Sequence, residues 1–238
     1  MATRIEIDGR IQNRKLPDSF KARKPPELKA ENASGMATIR IYDTIGPDWA
    51  GMVGADTIAR ALDDLDSADP IAVRINSGGG DVFEGVAIYN LLAERAGDVH
   101  VSIDGLAASI ASVIAMAGDT IAMSEAGQFM IHRPYGILLG DADEMRAYAD
   151  ILDSIQGSIA GVYQARTGRS EDEIAGWINA ETWMTAAESL DRGFIDSVTP
   201  NKKARKDDPA PTEPENNEVA AIRARNRVRL LQLKTIDT

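Results

Sequence analysis

Two short segments of the chain offer a serine nucleophile and a histidine base. They are Gly105-Leu106-Ala107-Ala108-Ser109-Ile110 and Phe129-Met130-Ile131-His132-Arg133-Pro134. The chain has only two histidines, His100 and His132, so few general bases are available. A third segment, Ile75-Asn76-Ser77-Gly78-Gly79-Gly80, could turn backbone N–H groups toward a developing oxyanion. A nucleophile, a base and an anion cradle together indicate acyl-transfer chemistry, with peptide hydrolysis as the expected reaction.

Strands and helices must alternate along the chain to position these groups. Alternating or apolar runs predict strands at 37–42, 71–75, 99–103, 120–123 and 129–131. Helical spacing predicts helices at 56–65, from Asp81, around 107–117 and over Asp141–Thr167. Capping-box spacings, Asp81 with Glu84 and Asp141 with Glu144, mark two of these starts, and similar spacings predict two more helices that begin near Ser170 and Thr185. Strands joined by helices of this length indicate βαβ units and an α/β fold.

Ser109 is predicted to lie in the first turn of the helix around 107–117. Free N–H groups and the positive end of the helix dipole favour an oxyanion at that position. Serine is also common at helix N-termini without any chemical role. Ser112 is the nearest alternative nucleophile, one turn further on and expected to be buried.

His132 is the favoured base because it follows a short apolar strand and precedes Pro134, at a strand end where active sites gather. His100 lies on the face of its strand opposite to Val99, Val101 and Ile103. A carboxylate must orient the imidazole of the base. The residues leave that choice open among Asp150, Asp153, Asp172, Glu173 and Glu181.

The composition excludes several other chemistries. Of the 238 residues 44% are hydrophobic and none is cysteine, so disulfides, thiol catalysis and thiolate zinc sites are excluded. We expect neither a metal site nor a cofactor. The glycine loop lacks the G-x-G-x-x-G spacing of dinucleotide-binding proteins and the Walker lysine, and could also be a plain tight turn. No apolar run reaches the roughly 18 residues of a membrane span, so a cytoplasmic protein without membrane contact is expected.

Charge divides the chain into three segments. Residues 1–34 carry 8 basic and 5 acidic side chains, and residues 199–238 carry 9 and 6, whereas residues 35–198 carry 9 and 26. We interpret 1–34 as a basic N-terminal arm, in which 4–8 could form a strand, and 199–238 as a flexible linker followed by a basic helix at 218–233. The acidic middle argues against nucleic-acid binding. The basic ends are either solvated or docked on acidic surfaces.

From Thr38 to Val198 the chain resembles the Clp protease proteolytic subunit family of the Clp/crotonase superfamily. The resemblance rests on Ile75-Asn76-Ser77-Gly78-Gly79-Gly80, Gly105-Leu106-Ala107-Ala108-Ser109, Met130-Ile131-His132-Arg133-Pro134 and Thr185-Ala186-Ala187-Glu188-Ser189, in this order. It implies a fold of repeated ββα units with a long handle helix at Asp141–Thr167, and assembly into rings, possibly stacked in pairs.

The resemblance also implies roles for single residues. Ser109 would be the nucleophile, His132 the base, and the N–H groups of Gly79 and Ile110 the oxyanion hole. Glu181 would stand at the third triad position, where the family usually has aspartate. A second departure is glycine at position 78, where the family has proline, which predicts a looser loop.

The end segments make the chain most similar to the Clp-type head-maturation proteases of tailed phages. That subtype implies capsid and scaffold proteins as substrates and a location in the host cytoplasm or the procapsid. A housekeeping Clp subunit fed by an unfoldase and an inactive ring-forming scaffold subunit are the alternatives. A crotonase-type acyl-CoA enzyme is a third, which the serine and histidine segments disfavour.

Overall fold

The computed structural model describes residues 36–201. The strands are β1 (Ala37–Ile41), β2 (Ile71–Ser77), β3 (Val99–Ala108), β4 (Thr120–Ser124), β5 (Gln128–Ile131), β6 (Thr182–Thr185) and β7 (Ser197–Thr199). The helices are α1 (Ala55–Asp63), α2 (Val82–Ala93), α3 (Ile110–Ala115), α4 (Ala142–Thr167), α5 (Glu171–Asn179) and α6 (Ala186–Asp191), with a short 3₁₀ turn at Asp48–Ala50. The predicted α/β fold is confirmed. The predicted strand at 4–8 and the predicted helix at 218–233 lie outside the described residues.

The strands form one sheet in the order β1-β2-β3-β4-β7, with β5 and β6 branching from it. Strand β3 divides its pairing: residues 100–103 pair in parallel with β4, and residues 106–108 pair in parallel with β5. Strand β6 runs antiparallel to β5. The last residues of β3 and β5 therefore lie next to each other, where the branch leaves the main sheet.

Alternation along the central strands separates an apolar face from a polar one. Ile71, Val73 and Ile75 of β2 are fully buried, whereas Arg74 and Asn76 between and after them are exposed. The buried face packs against a core to which helices α1–α3 contribute, with the residues of α3 all buried. Burial of these apolar side chains is the main source of stability for the central sheet.

Predicted caps set most helix starts. Asp141 and Glu144 form a reciprocal capping box on α4, as do the Ser170 and Thr185 caps with the glutamates three residues on. The box expected for α2 is only half formed. Asp81 accepts from the N–H groups of Phe83 and Glu84, but its own N–H donates to the carbonyl of Ile45.

Glu84 has a different partner from the one predicted. Its carboxylate accepts from the N–H of Ala55, the first residue of α1. One side chain at the start of α2 therefore caps the neighbouring helix, and the two helix N-termini are tied together.

The long helix α4 contributes to the core only along part of its length. Ile159 and Tyr163 in its second half are buried, whereas Met145 and Ile151 in its first half are half exposed. Within residues 36–201 no helix is long and apolar enough to cross a membrane.

Candidate active site

Ser109 directly follows strand β3, at the branch point of the sheet. Ala108 ends the strand, and Ser109 has φ 56° and ψ −131° before α3 begins at Ile110. The prediction that Ser109 lies inside the first helical turn is therefore wrong by one residue. Its Oγ does not cap the helix. That oxygen instead contacts a histidine that directly follows the neighbouring strand, β5.

His132 is that histidine. Its Nε2 lies 2.7 Å from Ser109 Oγ, a distance typical of a strong hydrogen bond. The contact follows from register, because Ala108 pairs with Met130 and Ser109 N–H donates to the Met130 carbonyl at 3.0 Å. The residues that follow β3 and β5 are consequently neighbours. A histidine nitrogen at this distance can take the serine proton as the oxygen attacks a carbonyl.

The third strand of the branch places Glu181 beside this pair. Ile131 pairs with Thr182 in the antiparallel β5–β6 ladder, so His132 and Glu181 are the next residues in register. Glu181 and His132 line the same cleft of about 540 Å³. Within residues 36–201 the structure has no hydrogen bond between the two side chains, and the Glu181 side chain is exposed.

Among the other candidate carboxylates, Asp153 alone also lines that cleft. Its Oδ1 lies 3.5 Å from the guanidinium of Arg133, in an exposed ion pair. Asp150 and Asp172 are exposed and do not line the cleft. Glu173 is engaged in the capping box of α5. Of the five candidate carboxylates, only Glu181 and Asp153 line the same cleft as His132.

At Gly79 the glycine loop lies against Ser109 and leaves no room for a side chain. Gly79 has φ 92°, and a Cβ built on it would lie 2.7 Å from Ser109 Cβ and 3.1 Å from Ile110 N. Ile110 is the first residue of α3, where an N–H has no acceptor within its own helix. The predicted oxyanion-hole residues Gly79 and Ile110 are therefore adjacent to each other and to Ser109.

The N–H of Gly79 has a partner in this structure. It donates to Ser77 Oγ at 3.1 Å, and Ser77 Oγ donates in turn to the carbonyl of Asp43 at 2.6 Å. An oxyanion would have to share or displace this rather long hydrogen bond. No side chain lies within 4 Å of a Cβ built on Gly78, the position predicted to loosen the loop.

The other histidine lies away from Ser109, and the hydroxyl of the alternative serine bonds Tyr163 and the Ser109 carbonyl, not His132. His100 Nδ1 is 2.8 Å from Thr120 Oγ1 on the polar face of the sheet. Ser112 is fully buried in α3, as expected, and contacts the hydroxyl of Tyr163. Within the described part of the chain no cluster of three or more His, Cys, Asp or Glu side chains could hold a metal ion.

Two tyrosines near the site were missed from sequence. The Tyr135 ring lies 5.6 Å from that of His132, and Tyr163 lines a small cavity beside Ser109 together with Val82 and Val113. Helical spacing could have indicated Tyr163, because it lies one turn after Ile159 on the apolar stripe of α4.

The sheet branch and the Ser109–His132 contact have the arrangement of a serine hydrolase on an α/β fold. The Clp protease family model matches residues 35–202. The ATP-dependent Clp protease proteolytic subunit 1 of Shouchella clausii is 31% identical over 188 residues, which cover 74% of this chain and 97% of that protein. The ATP-dependent Clp protease proteolytic subunit of Bacteroides fragilis is 34% identical over 149 residues, or 60% and 72% of the two chains.

A solved structure agrees in fold. A ClpP1 mutant from Listeria monocytogenes superimposes with a TM-score of 0.61 at 23% identity, covering 70% of this chain and 92% of that one. The chain therefore belongs to the Clp protease family, which implies serine endopeptidase activity. The predicted family and the predicted Clp-like fold are confirmed.

Proposed function

We propose that the chain hydrolyses peptide bonds with Ser109 as nucleophile and His132 as general base. The 2.7 Å contact between His132 Nε2 and Ser109 Oγ carries this proposal. Ser109 Oγ attacks the scissile carbonyl carbon while Nε2 takes its proton, and Nε2 then returns the proton to the leaving amine. Water repeats the sequence on the acyl-enzyme and releases the second product.

Glu181 completes the triad in this proposal and acts on the other side of the imidazole. Its support is position, next to His132 in the β5–β6 register and on the same cleft. A second support is backbone conformation: within residues 36–201 only Ser109 and Glu181 combine a positive φ with a side chain. Backbone strain of this kind costs about 1–3 kcal/mol and clusters at functional sites.

The N–H groups of Ile110 and Gly79 bind the oxyanion in the proposed mechanism. Ile110 offers the first amide of a helix, directly after the nucleophile. Gly79 contributes when its N–H leaves Ser77 Oγ, so substrate binding assembles the second half of the hole. Donors aimed at developing charge are often the largest single contribution to catalysis.

A serine-reactive fluorophosphonate tests the nucleophile. We expect labelling of a single residue, no labelling of Ser109→Ala, and loss of turnover by roughly three or more powers of ten in that variant. Ser189→Ala is the control variant, since Ser189 is fully buried and its hydroxyl donates to the Thr185 carbonyl, away from His132. Labelling that persists in Ser109→Ala would refute the assignment. A wild-type protein that is neither labelled nor active would favour the inactive scaffold alternative.

We further propose that the biological role is phage head maturation, with capsid and scaffold proteins as substrates in the host cytoplasm or the procapsid. The support is the pair of basic end segments, each with a net charge of +3, around a middle with a net charge of −17. A housekeeping subunit is the second candidate, because the curated relatives are named as subunits of ATP-dependent Clp proteases.

Assembly into a ring, possibly a stacked double ring, belongs to the same proposal. Its support is exposed apolar surface near the site and on α4: Ile137 and Leu139 are almost fully exposed, and Met145 and Ile151 half exposed. Such a surface in a soluble assembly is normally covered by another protein surface.

A chain shortened to residues 35–198 tests both proposals. We expect it to form rings by native mass spectrometry and to cleave a small fluorogenic peptide, but not to process scaffold protein or enter procapsids. Normal capsid maturation by the shortened chain would contradict the role of the ends. Degradation of folded proteins by the full chain only with an added unfoldase would favour the housekeeping role.

A further inference from the structure

Two buried hydroxyl groups lie directly behind the nucleophile. Ser112 is fully buried in α3, and Tyr163 of α4 is 2% exposed. Their oxygens are 2.7 Å apart, and Ser112 Oγ lies 2.5 Å from the carbonyl oxygen of Ser109. A continuous row of hydrogen bonds therefore runs from α4 through α3 to the backbone of the nucleophile.

The direction of these hydrogen bonds follows from counting protons. Ser112 has one hydroxyl proton, and a carbonyl oxygen can only accept, so Ser112 donates to Ser109. Tyr163 must then donate to Ser112. Burial raises the pKa of Tyr163 well above its usual value, against the opposing effect of Ser112, so the phenol keeps the proton it donates.

Ser109 needs support from its surroundings because its backbone conformation is unfavourable for any residue with a side chain. Its φ of 56° and ψ of −131° persist only where neighbouring contacts enforce them. The N–H of Ser109 is held by the Met130 carbonyl, and its carbonyl accepts from both the N–H and the Oγ of Ser112, at 3.0 and 2.5 Å.

We propose that Ser112 and Tyr163 are positioning residues, which fix the Ser109 backbone so that Oγ faces His132. This inference rests on the proposed role of Ser109. Burying two hydroxyls costs free energy that alanine and phenylalanine would avoid in the same apolar space. The pair is fully satisfied, and such polar networks select one arrangement of the groups they join. The Tyr163 ring is itself held edge-on against Phe194, with centroids 5.7 Å apart.

The test compares single and double variants of the full chain. Tyr163→Phe and Ser112→Ala each remove one hydroxyl, and the double variant removes both. Tyr42→Phe is the matched control for the tyrosine, since its hydroxyl bonds Asp104 on the polar face of the sheet. Ser189→Ala is the control for the serine, since its buried hydroxyl donates to the Thr185 carbonyl at 2.8 Å.

We expect each single variant to lower kcat about tenfold with an unchanged KM, because geometry and not substrate binding is lost. The double variant should lose about tenfold as well, not a hundredfold, because the two hydroxyls act in one row. Fluorophosphonate labelling should slow in parallel. Both controls should keep the wild-type kcat.

Three results would overturn the proposal: wild-type kcat in both single variants, a loss confined to KM, or independent losses that multiply in the double variant. If Ser112→Ala fails to fold, Tyr163→Phe still decides, because it preserves the ring and its packing. A crystal structure of Tyr163→Phe gives a readout that needs no activity. An unchanged Ser109 backbone and Oγ–Nε2 distance there would also refute the proposal, even if the wild-type protein proved inactive and the proposed function wrong.

Discussion

Alanine at two adjacent glycines should have opposite effects. Gly79 has a positive φ and lies against Ser109, whereas Gly78 has neither a positive φ nor any atom within 4 Å of a built Cβ. We predict that Gly79→Ala abolishes most activity and that Gly78→Ala does not. The comparison is well controlled because the substitution, the loop and the added volume are the same.

The magnitude for Gly79→Ala comes from two sources. Holding alanine at a φ of 92° costs about 1–3 kcal/mol of stability. The added carbon would also lie 2.7 Å from Ser109 Cβ and 2.8 Å from the Ala108 carbonyl oxygen, and rigid backbone cannot yield. The loop must therefore move away from the Ile110 amide. Loss of one oxyanion donor reduces kcat by about 10²–10³.

Gly78→Ala should keep kcat within about twofold of wild type and stabilise the fold by about 0.4–1 kcal/mol, because alanine restricts the unfolded chain. Peptide hydrolysis gives kcat, and urea unfolding gives the free energy of unfolding. Wild-type kcat in a folded Gly79→Ala variant would refute the placement of the oxyanion hole. A large loss in Gly78→Ala would mean that substrate occupies the open space beside it.

Two further predictions concern carboxylates. Glu181→Gln should lower kcat at least about a hundredfold, while native mass spectrometry should still show the wild-type oligomer. Asp153→Asn should keep the wild-type kcat. The reverse result would transfer the triad role to Asp153. Asp104→Asn should lower the free energy of unfolding by up to about 1 kcal/mol at pH 7 in urea titrations. Burial raises the pKa of Asp104, but hydrogen bonds from Arg74 and Tyr42 outweigh it and hold the pKa below its usual value. The wild-type advantage should thus disappear as pH falls through that lowered pKa, and an advantage that persists in acid would contradict the ion pair as its source.

Local patterns in the sequence were sufficient to predict most elements and to single out Ser109 and His132, which the structure brings into contact. The strands at β1, β2 and β4 have clear apolar alternation, and the box at Asp141 marks the start of α4 within one residue. The chain has only two histidines, and only His132 directly follows a predicted strand, so the choice of base was short. Family motifs supplied the roles of Glu181 and Gly79, which the residues alone left open.

Contacts that depend on partners distant in sequence could not be predicted in this way. Glu84 has the spacing of a capping-box residue, yet it caps α1 because the Asp81 amide is already bonded to Ile45. Ser109 has the composition of a helix around it, yet pairing of β3 with β5 extends the strand to Ala108. In both cases a tertiary hydrogen bond outweighs a local preference worth about 1 kcal/mol or less.

The divided pairing of β3 explains why the site forms where it does. Had β3 paired with β4 along its whole length, β5 would have no place beside Ala108, and His132 would lie away from Ser109. Parallel pairing brings the carboxyl ends of β3 and β5 to one edge, and antiparallel pairing brings the start of β6 to the same edge. Residues 109, 132 and 181 therefore converge through backbone register before any side-chain contact is made. The positive φ of Ser109 then ends the regular strand pairing, and its Oγ meets His132.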